Sequence, residues 1–184
     1  MHPMYFIKQQ PPVRRRKIPG AMILTLALLC LLCSCGPTKA GYIRQVRGGL
    51  DDFAACADAF TDSLQQIADV RTVPTAEQCD DIETKLNALS KVCLRLEQLD
   101  APKSCAKQQQ ALSRAMETYR DALERCRVLL SDYRDFDATI RSYPTPDEGS
   151  AAMRQTINEH YTLFIETLRQ AQEYLRQAEI LFAL

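Results

Sequence analysis

The sequence predicts an all-α protein, an up-down-up-down four-helix bundle with coiled-coil-like seams and a long hairpin between its third and fourth helices. Three observations predict it. Apolar residues recur at alternating steps of three and four along four long stretches, the spacing that lines one side of a helix. No stretch sustains the period-two alternation of a half-buried strand. The stretches are parted by short breaks carrying Pro, Thr or Asp, and short connections make successive helices antiparallel neighbours.

Composition sets the bounds. The chain has 184 residues, 46% hydrophobic and 25% charged, with 23 bases and 23 acids. That is one ordinary globular domain, not collagen, low-complexity disorder or a disulfide-dense miniprotein. With no Trp, two His and 7% aromatics, there is little material for a base-stacking platform or a His-rich metal centre.

The first element is an export signal. Residues 1–34 hold Lys8, Arg14, Arg15, Arg16 and Lys17 and no acid, which leaves 18 bases against 23 acids in the remainder. Ala21 to Ser34 is then an uncharged, mostly apolar run of 14 residues. It is too short to span a hydrocarbon core of about 30 Å, but it suits the apolar region of a secretory signal. A buried core helix would have to carry Arg14 to Lys17 inside with it. Ile18-Pro19 departs from the twin-arginine export pattern, which expects apolar Phe-Leu there.

The run ends in Leu32-Cys33-Ser34-Cys35-Gly36. This resembles the lipobox of bacterial lipoproteins: an aliphatic residue, a middle position, a small residue, then Cys. Only Cys35 fits, because Cys30 and Cys33 both follow Leu. The resemblance implies that residues 1–34 are removed as a signal peptide and that Cys35, diacylated with palmitate-type chains, becomes the mature N-terminus. It covers the first fifth of the chain, and no family is recognised for the rest. Cys33 at the middle position and the 20 residues before the apolar run depart from the usual pattern. Gly36 is not the Asp that favours inner-membrane retention, so the implied address is the cell envelope at the outer membrane. Two acyl chains bind a bilayer durably, which makes the lipid bilayer the first partner. Residues 35–41 then form a tether of about 20 Å when extended.

The helical domain occupies 42–184, with helices expected at about 42–71, 75–99, 101–141 and 146–183. The first series is Ile43, Val46, Leu50, Phe53, Ala57, Phe60, Leu64 and Ile67. Gly48-Gly49 interrupts it at about 1 kcal/mol each, so the firm helix is expected near Asp51. Thr72-Val73-Pro74 ends it, and Thr75 with Gln78 reads as a capping box. The second series is Cys79, Ile82, Leu86, Leu89, Cys93 and Leu96. Asp100 and Pro102 separate it from the third, which runs from Cys105 through Leu112, Tyr119, Cys126 and Tyr133 to Ile140. Thr145-Pro146-Asp147-Glu148 reads as another capping box with Pro at the first helical position. The fourth series is Ile157, Tyr161, Phe164, Leu168, Ala171, Leu175, Ala178 and Phe182.

Facing positions of antiparallel neighbours should add to a constant. Phe53 opposite Cys93 and Phe60 opposite Leu86 both give 146. Ile82 opposite Tyr119 and Leu86 opposite Ala115 give 201. Tyr119 opposite Ala171 and Cys126 opposite Phe164 give 290. Large residues then face small ones, as interior packing requires.

Beyond Cys35, five cysteines remain. Cys79, Cys93, Cys105 and Cys126 lie on seams of the second and third helices. Nested disulfides Cys79–Cys126 and Cys93–Cys105 would staple that hairpin in an oxidising compartment. The register works against both, since each pair misses 201 by three or four residues, and Cys56 competes for Cys93. Free thiols filling the core are the plain alternative. A Cu(I)-type thiolate site or redox-active bundle is the sharper one, but no C-x-x-C or C-x-x-x-C pair places two thiols one turn apart. No metal or other cofactor is therefore expected.

No catalytic set is legible: H-E-x-x-H, G-x-S-x-G and phosphate-cradling glycine loops are all missing, and His160 lacks the Glu three residues earlier that di-iron bundles need. Asp51-Asp52 and Asp80-Asp81 read as helix-end electrostatics. The acidic excess after residue 34 argues against nucleic acid. The expected function is a non-catalytic, membrane-anchored interaction or structural module. Its expected surface is a projection of about 13 residues per helix, some 20 Å of hairpin beyond the first helix pair. Leu129, Tyr133, Phe136, Ile140, Ile157 and Tyr161 would form an apolar stripe there for a protein partner or a second copy.

Overall fold

The computed structural model describes residues 38–67 and 73–183; the signal segment, the lipobox and Cys35 lie outside the described residues. Helix α1 spans Lys39–Ile67, α2 Ala76–Glu97, α3 Ala106–Ile140 and α4 Pro146–Phe182, with a 3-10 turn at Lys103–Cys105 leading into α3. The described residues contain no strand. The described residues form an all-α bundle of four antiparallel helices.

The helix starts follow the capping chemistry. Thr75 accepts from the Gln78 amide while the Gln78 side chain accepts from the Thr75 amide, a complete capping box. Thr145 accepts from the Glu148 amide, with Pro146 behind it in the first turn. Thr38 accepts from the Gly41 amide, so the first helix begins at Lys39 and takes up residues 39–41, expected to be tether. That helix also runs unbroken through Gly48-Gly49. The interruption expected there does not occur, because Gly49 has a packing use: a Cβ on it would lie 2.4 Å from Leu96 Cδ2. The missing side chain lets α2 seat Leu96 directly on the backbone of α1.

Two of the three registers agree with the sequence. Between α1 and α2, Asp52 pairs with Arg95 and Ser63 with Asp81, positions that add to 147 and 144. Between α3 and α4, Asp132 meets His160 and Arg114 meets Tyr174, adding to 292 and 288. The α2–α3 register does not agree. Asp80 pairs with Arg134, Asn87 with Arg127 and Glu97 with Arg120, adding to 214, 214 and 217 against the expected 201.

The connection explains the shift. The backbone extends at Pro102, with ψ 151°, and passes through the 3-10 turn before α3 starts; a residue before proline is itself pushed out of helix. The chain therefore runs past the end of α2 before turning back. Gln109 fixes the result, donating from Nε2 to the carbonyls of Leu96 and Glu97 at 3.2 and 2.9 Å, while its Oε1 accepts from the Tyr42 hydroxyl at 2.6 Å. Ser113 donates to Glu97 as well. Two carbonyls that a helix end leaves orphaned are capped from the neighbouring helix.

The core forms where α1, α2 and α3 converge with the lower half of α4, around Val46, Phe53, Leu86, Leu96, Leu112, Met116, Leu123 and Phe164. A second, smaller core joins Leu129 and Phe136 of α3 to Met153 and Ile157 of α4.

Candidate functional site: an uncharged slot between the first and last helices

Three sides of the bundle are closed by short connections. The fourth, between α1 and α4, is not: the closely packed helix pairs are α1–α2, α2–α3 and α3–α4. At the base the two outer helices meet through long side chains, with the rings of Tyr42 and Phe182 6.0 Å apart. Higher up they part to leave a slot of about 350 Å³, within the range of small-molecule sites.

The α1 wall carries Ala57, Phe60, Thr61, Leu64 and Gln65. The α4 wall carries Ile157, Tyr161, Phe164, Ile165 and Leu168, with Asn158 and Gln172 at its rim. Leu89, Tyr119, Leu129 and Tyr133 form the floor. Helical geometry places these walls together, since 57, 60, 61, 64 and 161, 164, 165, 168 each fall at steps of three and four on one face. None of the lining side chains carries a formal charge, in a chain whose residues are 25% charged.

Three tyrosines line the slot beside the polar Thr61, Gln65, Asn158 and Gln172. Tyr119 is only 6% exposed and its ring stands edge-on to Phe53 at 4.8 Å. Its hydroxyl makes no hydrogen bond with any described residue. Tyr119 is one of the residues that line the slot. Tyr133 and Tyr161 likewise line the slot without a bond to a described residue. Burial pushes the Tyr119 phenol up to about 12, with Cys93 and Glu179 adding to the shift. Burial raises Tyr133 too, Tyr161 adding to it. At neutral pH these groups are hydrogen-bond donors.

Other polar clusters read as structure. Ser63, 1% exposed, accepts from Lys85 and donates to Asp81, which also takes Lys85 at 2.7 Å. The hydrogen bonds from Lys85 and Ser63 hold the Asp81 carboxyl below the usual carboxylate range. The trio resembles a Ser–Lys nucleophile pair, but Lys85 is committed as a donor to both partners and buried Ser63 is closed to substrate. It clasps α1 to α2. His160 bonds Asp132 at 2.5 Å and joins α4 to α3.

Neither of the two candidate disulfides is formed: Cys79, Cys93, Cys105 and Cys126 are free thiols, as is Cys56. For Cys93 and Cys105 the shifted α2–α3 register is the reason. It carries Cys105 past the end of α2 to the neighbourhood of Tyr42, and leaves Cys93 near Cys56 and Tyr119. Cys79 and Cys126 are neighbours without a bond. Burial pushes the thiols of Cys93 and Cys126 up to about 12 and raises that of Cys79, which makes them poor nucleophiles and poor metal ligands at neutral pH. Among the described residues no three His, Cys, Asp or Glu side chains converge as a metal site would need.

The expected hairpin projection is also corrected. Val73, Pro74, Thr75 and Ala76 share a surface hollow with Tyr133, Arg134, Phe136 and Asp137. The α1–α2 connection thus climbs to within a turn of Ile140, because the same register shift moved α3 downward. Leu129, Phe136 and Ile157 are buried, Tyr133 and Ile140 half-buried, and only Tyr161 stands open at 41%. Five of the six, all but Tyr161, belong to a small core with Met153, and four of the six, Leu129, Tyr133, Ile157 and Tyr161, line the slot.

The sequence places Phe60, Leu64, Tyr119, Phe164 and Leu168 on seams and sets no register between the first and fourth helices. One signal of the slot was available: Ile165 beside Phe164 widens the apolar stripe of α4 beyond a seam. No helix among the described residues is long and apolar enough to cross a membrane. Comparison with protein-family models, curated proteins and solved structures finds no match to this chain.

Proposed function

We propose that the chain is a lipid-anchored, non-catalytic binding module of the cell envelope, with the α1–α4 slot as its binding site. The slot carries the binding reading: a concave, uncharged, mostly apolar site with unpartnered hydroxyls at its floor and rim is built for recognition. It offers no nucleophile with a base and no converging carboxylates. The anchoring reading rests on the basic cluster, the apolar run and the lipobox ending at Cys35, with two acyl chains as the membrane attachment. The address is the outer membrane, on the residue following Cys35.

Cys35→Ser tests it. The variant should lose incorporation of labelled palmitate, and should leave the membrane fraction or persist as an uncleaved precursor. Unchanged labelling, processing and fractionation would refute the anchor.

A further inference from the structure

The slot's shape and chemistry narrow its occupant. At 1.5 Å per residue, Ala57 to Gln65 give it a length of about 12 Å on α1, and Ile157 to Gln172 about 22 Å on α4. Its volume of about 350 Å³ lies at the low end for ligand sites. The space is long, narrow and apolar, the form of one extended hydrocarbon chain and not of two. A charged group carried into it would meet no countercharge, and burying an unpaired charge is strongly unfavourable. Its polar groups are the exposed Thr61, Gln65, Asn158 and Gln172 at the edges and three tyrosines: Tyr119, buried at 6% exposure and unpartnered among the described residues, with Tyr133 and Tyr161 above it. The Tyr119 hydroxyl can pair with an ester or carbonyl oxygen, whereas a carboxylate beside it would be buried without a countercharge.

We propose that the α1–α4 slot binds the single alkyl chain of a neutral amphiphile, with an ester or carbonyl oxygen of the ligand accepting from the Tyr119 hydroxyl. This inference rests on reading the chain as a binding module with this slot as its site, and not on its anchoring. A second copy of the chain is the less fitting occupant, because the slot is a recess between two helices and not a flat apolar face.

The test uses the full-length chain carrying Cys35→Ser, so that no acyl group of its own can enter the slot. Monolaurin, a neutral lauroyl ester, and laurate, the same chain with a carboxylate, are titrated below their micellar concentrations by calorimetry. Monolaurin should bind saturably at one site per chain and about tenfold more tightly than laurate, whose charge finds no partner. Ala57→Phe, which fills one end, should abolish binding while leaving helicity and thermal midpoint in place. Thr61→Arg, at an exposed rim position, should reverse the preference toward laurate, an outcome that general loss of structure cannot produce.

Equal binding of the two ligands, no saturable binding, or binding that survives Ala57→Phe would overturn the proposal. So would sedimentation showing a dimer that Ala57→Phe dissociates, since a second copy would then fill the slot. Palmitate labelling of the Cys35 chain is read separately, so failure of the ligand and failure of the anchor are told apart.

Discussion

Adding one methyl group at each of three glycines tests how closely the helices approach. None of the three has a positive φ, so each substitution is decided by space alone. At Gly48 a Cβ meets nothing within 4 Å, and Gly48→Ala should gain the full helix preference of alanine, about 1 kcal/mol. At Gly149 a Cβ would lie 2.8 Å from the Ile140 carbonyl oxygen and 2.9 Å from Ile140 Cα. Both are backbone atoms, so no rotamer change relieves the clash and the end of the α3–α4 hairpin has to open. Overpacking of this kind costs about 1–3 kcal/mol, and opening the hairpin loosens Leu129, Phe136, Met153 and Ile157 beneath it. Gly49 lies between these cases. Its Cβ would meet the Leu96 side chain at 2.4 Å, which can shift, although Leu96 is itself core at 1% exposure. Thermal unfolding by circular dichroism should therefore place Gly48→Ala above the parent by about 3 °C, Gly49→Ala below it and Gly149→Ala lowest. If Gly149→Ala unfolds at or above the Gly48→Ala midpoint, α3 and α4 do not approach as described.

Gln109→Leu should destabilise the fold by about 1–3 kcal/mol in urea titrations, because it leaves the buried Tyr42 hydroxyl without its acceptor and takes one donor from each of the Leu96 and Glu97 carbonyls. Adding Tyr42→Phe should cost less than the sum of the two single changes; full additivity would mean the bond is not made. Alkali should weaken the fold. Burial holds Tyr42, Tyr119, Cys93 and Cys126 protonated up to about pH 12, whereas in the unfolded chain thiols and phenols release protons near about 9 and 10. Their contribution is complete below pH 9 and lost as pH climbs to 12, so the urea midpoint should hold from pH 7 to 9 and then fall; a flat midpoint to pH 12 counts against that burial. Cys93 and Cys126 should resist iodoacetamide until denaturant is added, and prompt alkylation of either in the native protein would contradict their placement.

The all-α class was legible because it rests on periodicity, which four long series repeat. The α1–α2 and α3–α4 registers were legible too, because large residues such as Phe53 and Phe60 must face complementary ones across a short turn. The α2–α3 register was not. The symmetric-turn assumption ignored the extended backbone at Pro102, and the side chain that fixes the true register, Gln109, is polar and sits beside the seam. One misplaced turn then propagated. It left the upper hairpin uncovered, although Val73 to Ala76 share a hollow with Phe136 and Asp137.

The slot was hidden for a different reason. Apolar periodicity shows which face of a helix avoids water, but not whether protein covers that face. Sequential helices are held together by their connections, so a seam shared by α1 and α2, or by α3 and α4, is pulled shut. No connection links α1 to α4, and their approach is set only by what fills the space between them. At the base Tyr42 and Phe182 bridge it. Between Ala57 and Leu168 the side chains facing one another leave about 350 Å³ open. Those residues obey the rule for a core and end by lining a cavity, and this is the side of an up-down-up-down bundle on which a ligand site forms with least disturbance to the rest of the fold.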